Sequence, residues 1–300
     1  MIEISIIIPC YQKNETLQRC LKSISFEYTE IEILLVDDGS SPPVHINETE
    51  KYPPFRIIRQ ENAGPGPARN RGAAEAVGRY LLFLDADDFL HPDFEKTIAP
   101  QIKKNRGVIV GAFHYVGKSA SHFPYFIGEK KEEGFLPVAQ MDQKSFRQAC
   151  DFFAAGACLI QREIFQKTKG YYAVKKVLFG EDIYLWLQVM LFCPQIYRLP
   201  DVVVMVDDNH SSLGIGKKAG KPISALALCS TSEFFPLCVN KSHKFLSEFL
   251  LSYRKEVSVR LIYENRFRDF FVFCTQFPRL LFSWSLLSFL IKRTLVNAKK

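Results

Sequence analysis

The sequence predicts an α/β fold: a mainly parallel sheet flanked by helices, followed by a C-terminal helical extension. Three observations predict it. Short apolar, β-branched runs alternate with segments of helical period through the first 115 residues. Gly- and Pro-rich joints separate these segments. Beyond about residue 222 only helical periodicity remains. The expected organisation is an α/β domain over 1–221 and a helical extension over 222–300.

The elements follow in order. Glu3–Ile8 is an apolar run with the character of a strand. Thr16–Ser25 carries Leu17, Leu21 and Ile24 at helical spacing. Ile31–Val36 suits a strand buried on both faces, and Phe55–Arg59 is a weaker one. Pro67–Val77 is a small-residue helix with proline near its start. Tyr80–Leu84 is a fourth strand, Pro92–Lys103 a helix and Gly107–Tyr115 another strand. The pattern loosens over Phe123–Pro137. Ser145–Gln161 and Glu181–Phe192 regain periodicity, the second most strongly, with Ile183, Leu187 and Met190 or Leu191 on one face. Val202–Val206 is a last short strand, and Ser211–Lys221 reads as a mobile Gly/Lys-rich loop.

Composition narrows the class. The chain has 300 residues, 47% hydrophobic and 24% charged, which excludes disordered, collagen-like and fibrous proteins. Its eight cysteines form no C-x-x-C pair and read as reduced thiols in a reducing compartment. The N-terminus lacks a basic region, so its apolar run reads as a strand rather than an export signal. The net charge of +7 is uneven: residues 241–300 hold 12 Lys/Arg against 4 Asp/Glu, whereas the first 240 hold 27 against 28. A basic tail suits anionic lipid or phosphate, and no nucleic-acid partner is expected. Within the Phe-rich stretch Phe267–Ile291, the longest charge-free parts are Phe270–Pro278 and Leu280–Ile291. Both are short of the roughly 20 residues that span a bilayer. The stretch reads either as an interfacial or partner-facing helical hairpin or as a helix buried in the chain's own core.

The chemistry lies at strand ends. The first strand runs into Pro9-Cys10-Tyr11-Gln12-Lys13, the second into Asp37-Asp38-Gly39-Ser40, and the fourth into Asp85-Ala86-Asp87-Asp88. Open α/β sheets bind ligands outside the carboxyl ends of their strands. If these strands are parallel neighbours, five carboxylates share one crevice. They would require a cation or ligand donors to offset their repulsion. A hard divalent metal with a diphosphate suits that donor set. The competing reading of each motif alone is a turn or a helix cap.

Taken together, the segments SIIIPCYQKNETLQRCLKSI (5–24), ILLVDDGSS (33–41), NAGPGPARNRG (62–72), YLLFLDADD (80–88) and GEDIYLWLQ (180–188) resemble a family 2 glycosyltransferase of the GT-A fold. The resemblance implies that Pro9 and Tyr11 cradle a nucleobase and that Asp38 accepts its N–H. It places Arg69 near the nucleotide, Asp85 on the ribose and Asp87 on a metal, Mn²⁺ or Mg²⁺. Asp182 takes the part of the general base, with Glu181 beside it. His210, in the Asp207-Asp208-Asn209-His210 stretch, stands where some families place a second metal ligand. Each role suits its chemistry. A ring and a carboxylate clamp a base, and a carboxylate opening a helix can take a proton from an attacking hydroxyl.

The implied activity is inverting transfer of one sugar from a nucleoside-diphosphate donor, UDP-linked, to a glycan or lipid-linked glycan. It would take place in the cytoplasm, on the inner face of the cell membrane, with the tail on anionic lipid. The alternative from another class is a non-catalytic nucleotide-sugar-binding scaffold subunit. Lesser candidates are Lys13 toward phosphate, the 62–67 loop toward the nucleotide, Asn70 and Arg71 at a helix start, and Gly156 bordering an acceptor pocket or packing on the sheet. The family's frequent Gly-Phe-Asp-Glu is Gly170-Tyr171-Tyr172-Ala173 here, and the arginine often found after the E-D pair is absent.

Overall fold

Residues 4–37 contain two apolar runs whose side chains are buried almost without break, the mark of strands covered on both faces. In the computed structural model, which describes residues 2–46, 52–116, 132–152, 154–174, 180–207 and 225–280, these become β1 (Ile4–Cys10) and β2 (Ile31–Asp37). Between them lies α1 (Asn14–Lys22), which buries Leu17, Cys20 and Leu21. Next come β3 (Phe55–Arg59), α2 (Pro65–Glu75) and β4 (Tyr80–Phe83). These bounds fall within a few residues of those expected. A two-residue β5 (Phe89–Leu90), α3 (Phe94–Lys103) and β6 (Val108–Val116) follow.

Among the described residues one sheet runs in the order β3-β2-β1-β4-β8-β6-β9-β5, with β7 (Gly134–Leu136) paired to β9. The first four strands are parallel. The chain leaves β1 through α1 toward β2, then returns from β3 through α2 to β4 on the other side of β1. Right-handed crossovers in opposite directions place α1 and α2 on opposite faces. Strand order therefore reverses between β1 and β4, which opens a crevice beyond their carboxyl ends.

The rest of the sheet is mixed, and here the sequence pattern is less informative. The periodic stretch Ser145–Gln161 divides into α4 (Gln143–Phe152), a short 3₁₀ turn and β8 (Cys158–Gln161). β8 is antiparallel to both β4 and β6. Its four residues, CLIQ, are too few to show a period. α5 (Arg162–Gln166) and α6 (Glu181–Phe192) follow.

The last strand, β9, spans Ile196–Asp207 rather than Val202–Val206. Its register on β6 jumps from Val110↔Arg198 to Ala112↔Val202, so Leu199, Pro200 and Asp201 oppose Gly111 alone. This bulge absorbs the proline and exposes the aspartate, the two residues that interrupt the apolar pattern. A Cβ on Gly111 would lie 2.4 Å from the Val203 side chain, so the bulge presses directly on the sheet backbone.

The C-terminal residues are helical: α7 (Ala225–Leu228), a 3₁₀ segment Thr231–Leu237, α8 (His243–Tyr263) and α9 (Phe267–Gln276). Ser242 caps α8 by accepting from the Phe245 N–H. Leu246, Phe249, Leu250 and Tyr253 of α8 belong to the same apolar core as the sheet. Phe146 of α4 meets both Phe245 and Phe249 edge-on, with ring centroids 5.2 Å apart. The expected division at 221/222 falls outside the described residues. Downstream of it, α7 and the first half of α8 pack as part of the main core.

α9 buries Phe270, Phe273 and Cys274 in a smaller cluster with α8 and leaves Phe267, Phe271 and Val272 exposed. The second half of the expected hairpin, 281–291, lies outside the described residues, as does the loop 211–221. Among the described residues, no helix is long and apolar enough to cross a membrane. All eight cysteines are free thiols.

Candidate active site

β1, β2 and β4 end side by side, so the three motifs of the sequence meet at one edge. Pro9 lies in β1 beyond the last β4 partner: Ile7 pairs with Phe83, and the Ile7 carbonyl receives the Leu84 N–H at 3.0 Å. Position 9 points toward the same side, past the end of β4, where a strand needs no donor and proline costs no ladder hydrogen bond. The chain then turns sharply. Gln12 takes φ 52°, and its N–H donates to the Ser40 hydroxyl at 3.0 Å, tying the β1 loop to the β2 loop. Tyr11 stands 45% exposed at the lip. Tyr11, Gln12, Lys13, Ser41 and Pro42 contribute to the walls of an open cleft of about 660 Å³.

At the end of β2 the two aspartates divide their labour. Asp37 turns inward, accepting from the Ser40 N–H at 2.8 Å and from the Arg59 guanidinium at 2.7 Å. Asp38 is 3% exposed and holds the 60–64 loop through both oxygens. Oδ1 accepts from Gln60 Nε2 at 2.8 Å and from the Ala63 N–H at 2.9 Å, and Oδ2 accepts from the Gly64 N–H at 2.8 Å. Gly64 takes φ 101°, a backbone open to glycine at little cost, and α2 starts at the next residue.

α2 carries Arg69 under the β4 end. Arg69 is 3% exposed. Its Nη2 donates to Asp85 Oδ1 at 2.6 Å, and its Nη1 reaches Asp182 Oδ1 at 3.3 Å and Glu181 Oε1 at 3.5 Å. The guanidinium lies over the Tyr171 ring, 5.0 Å from its centroid. Asn70 clamps Tyr171 from the next position, accepting its N–H and donating to its carbonyl, both at 2.8 Å. Gly66 lets the helix approach this segment: a Cβ there would lie 2.4 Å from the Tyr172 carbonyl.

Glu181 and Asp182 open α6, immediately after Gly180. Burial pushes the Asp182 pKa up to about 7; Glu181 and Asp85 push the same way, while Arg69 pulls it down. The 35% of its side chain still open to water tempers that push without reversing it. Burial alone would lower the Arg69 pKa, but Asp85, Asp182 and Glu181 drive it upward, so it stays charged.

The remaining acids are paired too. Asp87 Oδ2 binds the Lys13 ammonium at 2.8 Å. Asp88 is buried, accepts the Asp207 N–H at 3.0 Å, and has its pKa raised by burial and by Asp85 and Asp87. Arg19 links the Asp87 carbonyl, at 2.8 Å, to Asp207 Oδ2, at 2.6 Å. The repulsion expected among the strand-end carboxylates is thus offset within the protein by Arg59, Arg69 and Lys13, before any external cation is considered. Among the described residues, no group of three or more His, Cys, Asp and Glu side chains stands ready to hold a metal. Asp87 offers a carboxylate, 17% exposed, beside Lys13, which lines the cleft. That donor set fits Mg²⁺ or Mn²⁺ held by one carboxylate together with ligand phosphates.

The structure brings Pro9, Tyr11, Asp38, Arg69, Asp85, Asp87, Glu181 and Asp182 to one edge of the sheet. His210 lies outside the described residues. Arg69 lies beneath the cleft, facing carboxylates instead of open space. Gly156 packs on the sheet, where a Cβ would lie 3.0 Å from Val204 and 3.3 Å from Leu84. Arg71 pairs with Glu75 on the exposed side of α2. Sequence reasoning missed Gln60, Arg19 and the part Tyr171 plays beside Arg69. Gln60, one residue after the strand-like run Phe55–Arg59, was the most accessible of the three to pattern reading.

Comparison with known proteins agrees with this fold. A solved structure of Staphylococcus aureus TarS 1-349 in complex with UDP-GlcNAc superposes with a TM-score of 0.60 at 17% identity, over 86% of this chain and 72% of that one. The fold is therefore of the GT-A type. The uncharacterized glycosyltransferase YibD of Escherichia coli (strain K12) is 39% identical over 100 residues, 32% of this chain and 29% of that protein. The poly-beta-1,6-N-acetyl-D-glucosamine synthase of Staphylococcus epidermidis is 37% identical over 106 residues, 34% of this chain and 26% of that protein. The chain thus matches under a third of the length of either relative. The glycosyl transferase family 2 model matches residues 5–169, from β1 through α5 and including every strand-end motif, and this chain belongs to that family.

Proposed function

We propose that this chain is an inverting glycosyltransferase that moves one sugar from a UDP-linked donor to a hydroxyl of a glycan or lipid-linked glycan. One observation carries the reading: the buried Arg69 joins Asp85, after the end of β4, to Asp182, at the opening of α6, which supports placing both ends of a displacement at one edge of the sheet. Tyr11 and the cleft beside it receive the base, with Asp38 and its loop forming the floor. Asp85 faces the ribose. Asp182, with its pKa raised, is suited to take the proton of the attacking hydroxyl. A single base acting on a single displacement inverts the anomeric carbon.

Asp87 would hold a divalent cation, which when bound neutralises charge on the departing diphosphate. The donor assignment draws support from TarS, whose structure carries UDP-GlcNAc, and the glycan assignment from the poly-beta-1,6-N-acetyl-D-glucosamine synthase. The test is UDP release from a panel of UDP-sugars with Mn²⁺ and a glycan acceptor. Release by the native chain and its loss in Asp182→Asn is the expected result. Tight donor binding without turnover on any pair would replace the enzyme by a scaffold.

The proposed site of action is the inner membrane face, reached through the extension. Exposed Phe267, Phe271 and Val272 beside Arg266 and Arg268 support this, as does the basic excess of residues 241–300. Because α8 belongs to the core, truncation at residue 240 would expose apolar surface. A test that leaves this core intact is flotation of Phe267→Ser/Phe271→Ser with anionic phosphatidylglycerol vesicles. Retention equal to that of the native chain at low salt would remove the membrane from the proposal.

A further inference from the structure

The geometry points to Lys13 as a built-in counter-cation. It holds Asp87 while the cleft is empty and moves to the donor's diphosphate on binding, so the divalent cation and the nucleotide enter together. This rests on Asp87 as the cation ligand.

Lys13 Nζ lies 2.8 Å from Asp87 Oδ2, one of the two oxygens that this carboxylate would offer a metal. An ammonium and a dication cannot share that oxygen without strong repulsion. The pair is accessible to a ligand: the side chains are 23% and 17% exposed, and Lys13 also lines the cleft beside Tyr11. The Lys13 backbone is fixed. Its carbonyl accepts the Leu17 N–H at 3.0 Å and the Thr16 hydroxyl at 3.2 Å, and the preceding Gln12 N–H is tied to Ser40. The four-carbon side chain can therefore change partners while the loop stays in place. A diphosphate offers the ammonium a stronger partner than one carboxylate. Once Lys13 turns to it, Asp87 is released for the metal. Asp88 and Arg19 hold the loop from behind, so Asp87 keeps its place during the exchange.

The experiment measures Mn²⁺ binding by the loss of its free electron paramagnetic resonance signal, with and without saturating UDP. It compares the native chain, Lys13→Met, Lys13→Arg and Asp87→Asn. Without UDP, Lys13→Met should bind Mn²⁺ on the order of tenfold tighter than the native chain, and Lys13→Arg should stay as weak as the native chain. With UDP, that advantage of Lys13→Met should vanish or reverse. Equal Mn²⁺ affinity of Lys13→Met and the native chain without UDP, together with loss of binding in Asp87→Asn, overturns the counter-cation and leaves the metal assignment standing. Unchanged Mn²⁺ binding in Asp87→Asn, with UDP present, overturns both.

Discussion

The two ends of the cleft are built on opposite electrostatic plans. At the base end, Asp37 and Asp38 are buried acids whose oxygens are met by backbone N–H groups, Gln60 and Arg59. At the α6 end, three carboxylates compete for one buried arginine, and one of them, Asp182, is pushed up to about 7. An acid surrounded by fixed donors is a structural element, because those donors hold it and the loop together. An acid with too few donors holds its charge weakly and gains by taking a proton. Acids with fixed donors thus sit at one end and an acid short of donors at the other.

The largest expected effect breaks the chemical end alone. Asp182→Asn keeps the shape and removes the proton acceptor. Its turnover should fall roughly 10³-fold, in the range that general bases contribute, with donor KM nearly unchanged. Steady-state UDP release with donor and acceptor saturating reads both. A fall in donor affinity with turnover preserved would show that Asp182 serves binding and would erase the contrast.

Arg69→Met strikes the joint between the ends. It leaves Asp85, Glu181 and Asp182 without their shared cation, at a cost of about 3 kcal/mol, the low end for a broken buried pair because Asp85 and Asp182 are partly open to water. It also removes the one group that lowers the Asp182 pKa. The acidic limb of kcat/KM, expected near pH 7 in the native chain, should move to higher pH. Denaturant melts and a pH–rate profile measure the two effects separately. An unmoved limb would uncouple Arg69 from the base.

Asp38→Ala tests the base end. It removes three hydrogen bonds that shape residues 60–64, and its main effect should be on binding: donor KM up about tenfold with turnover little changed. A turnover loss as deep as that of Asp182→Asn would mean that the two ends are not separable.

Much of this was legible in the sequence, for a physical reason. β1, β2 and β4 are covered on both faces, so each is an unbroken apolar run whose end is marked by the first acids or proline. The motifs at Pro9, Asp37-Asp38 and Asp85–Asp88 could therefore be assigned to one edge before any coordinates. β8 is too short to show its period, and β9 conceals its length behind Pro200 and Asp201, which fall in a bulge. The side-chain pairings were hidden more deeply. Lys13 and Asp87 are 74 positions apart, and Arg69 and Asp182 are 113 apart. Only folding reveals that the acids are offset by the protein's own cations. The same holds for α8, whose mixed polar and apolar pattern reads as a separate extension until Phe249, Leu250 and Tyr253 are seen inside the main core.

The smallest effect is also the sharpest measure of the contrast, since it reads the strain at Asp182 without any substrate. Burial pushes its carboxyl from the ordinary 3.8 up to about 7 in the folded chain. A raised folded pKa contributes stability that is fully present below about pH 4 and is lost as pH rises toward 7, because the fold then has to carry a charge it disfavours. Asp182→Asn carries no charge at any pH. The melting temperature of the variant minus that of the native chain should therefore climb from pH 4 to pH 7 and level off above. Asp38→Asn, at a carboxylate that accepts three hydrogen bonds, is the comparison at the other end. A flat difference for Asp182→Asn across this window would mean that water relieves the site fully, and that the two ends of the cleft differ in geometry but not in strain.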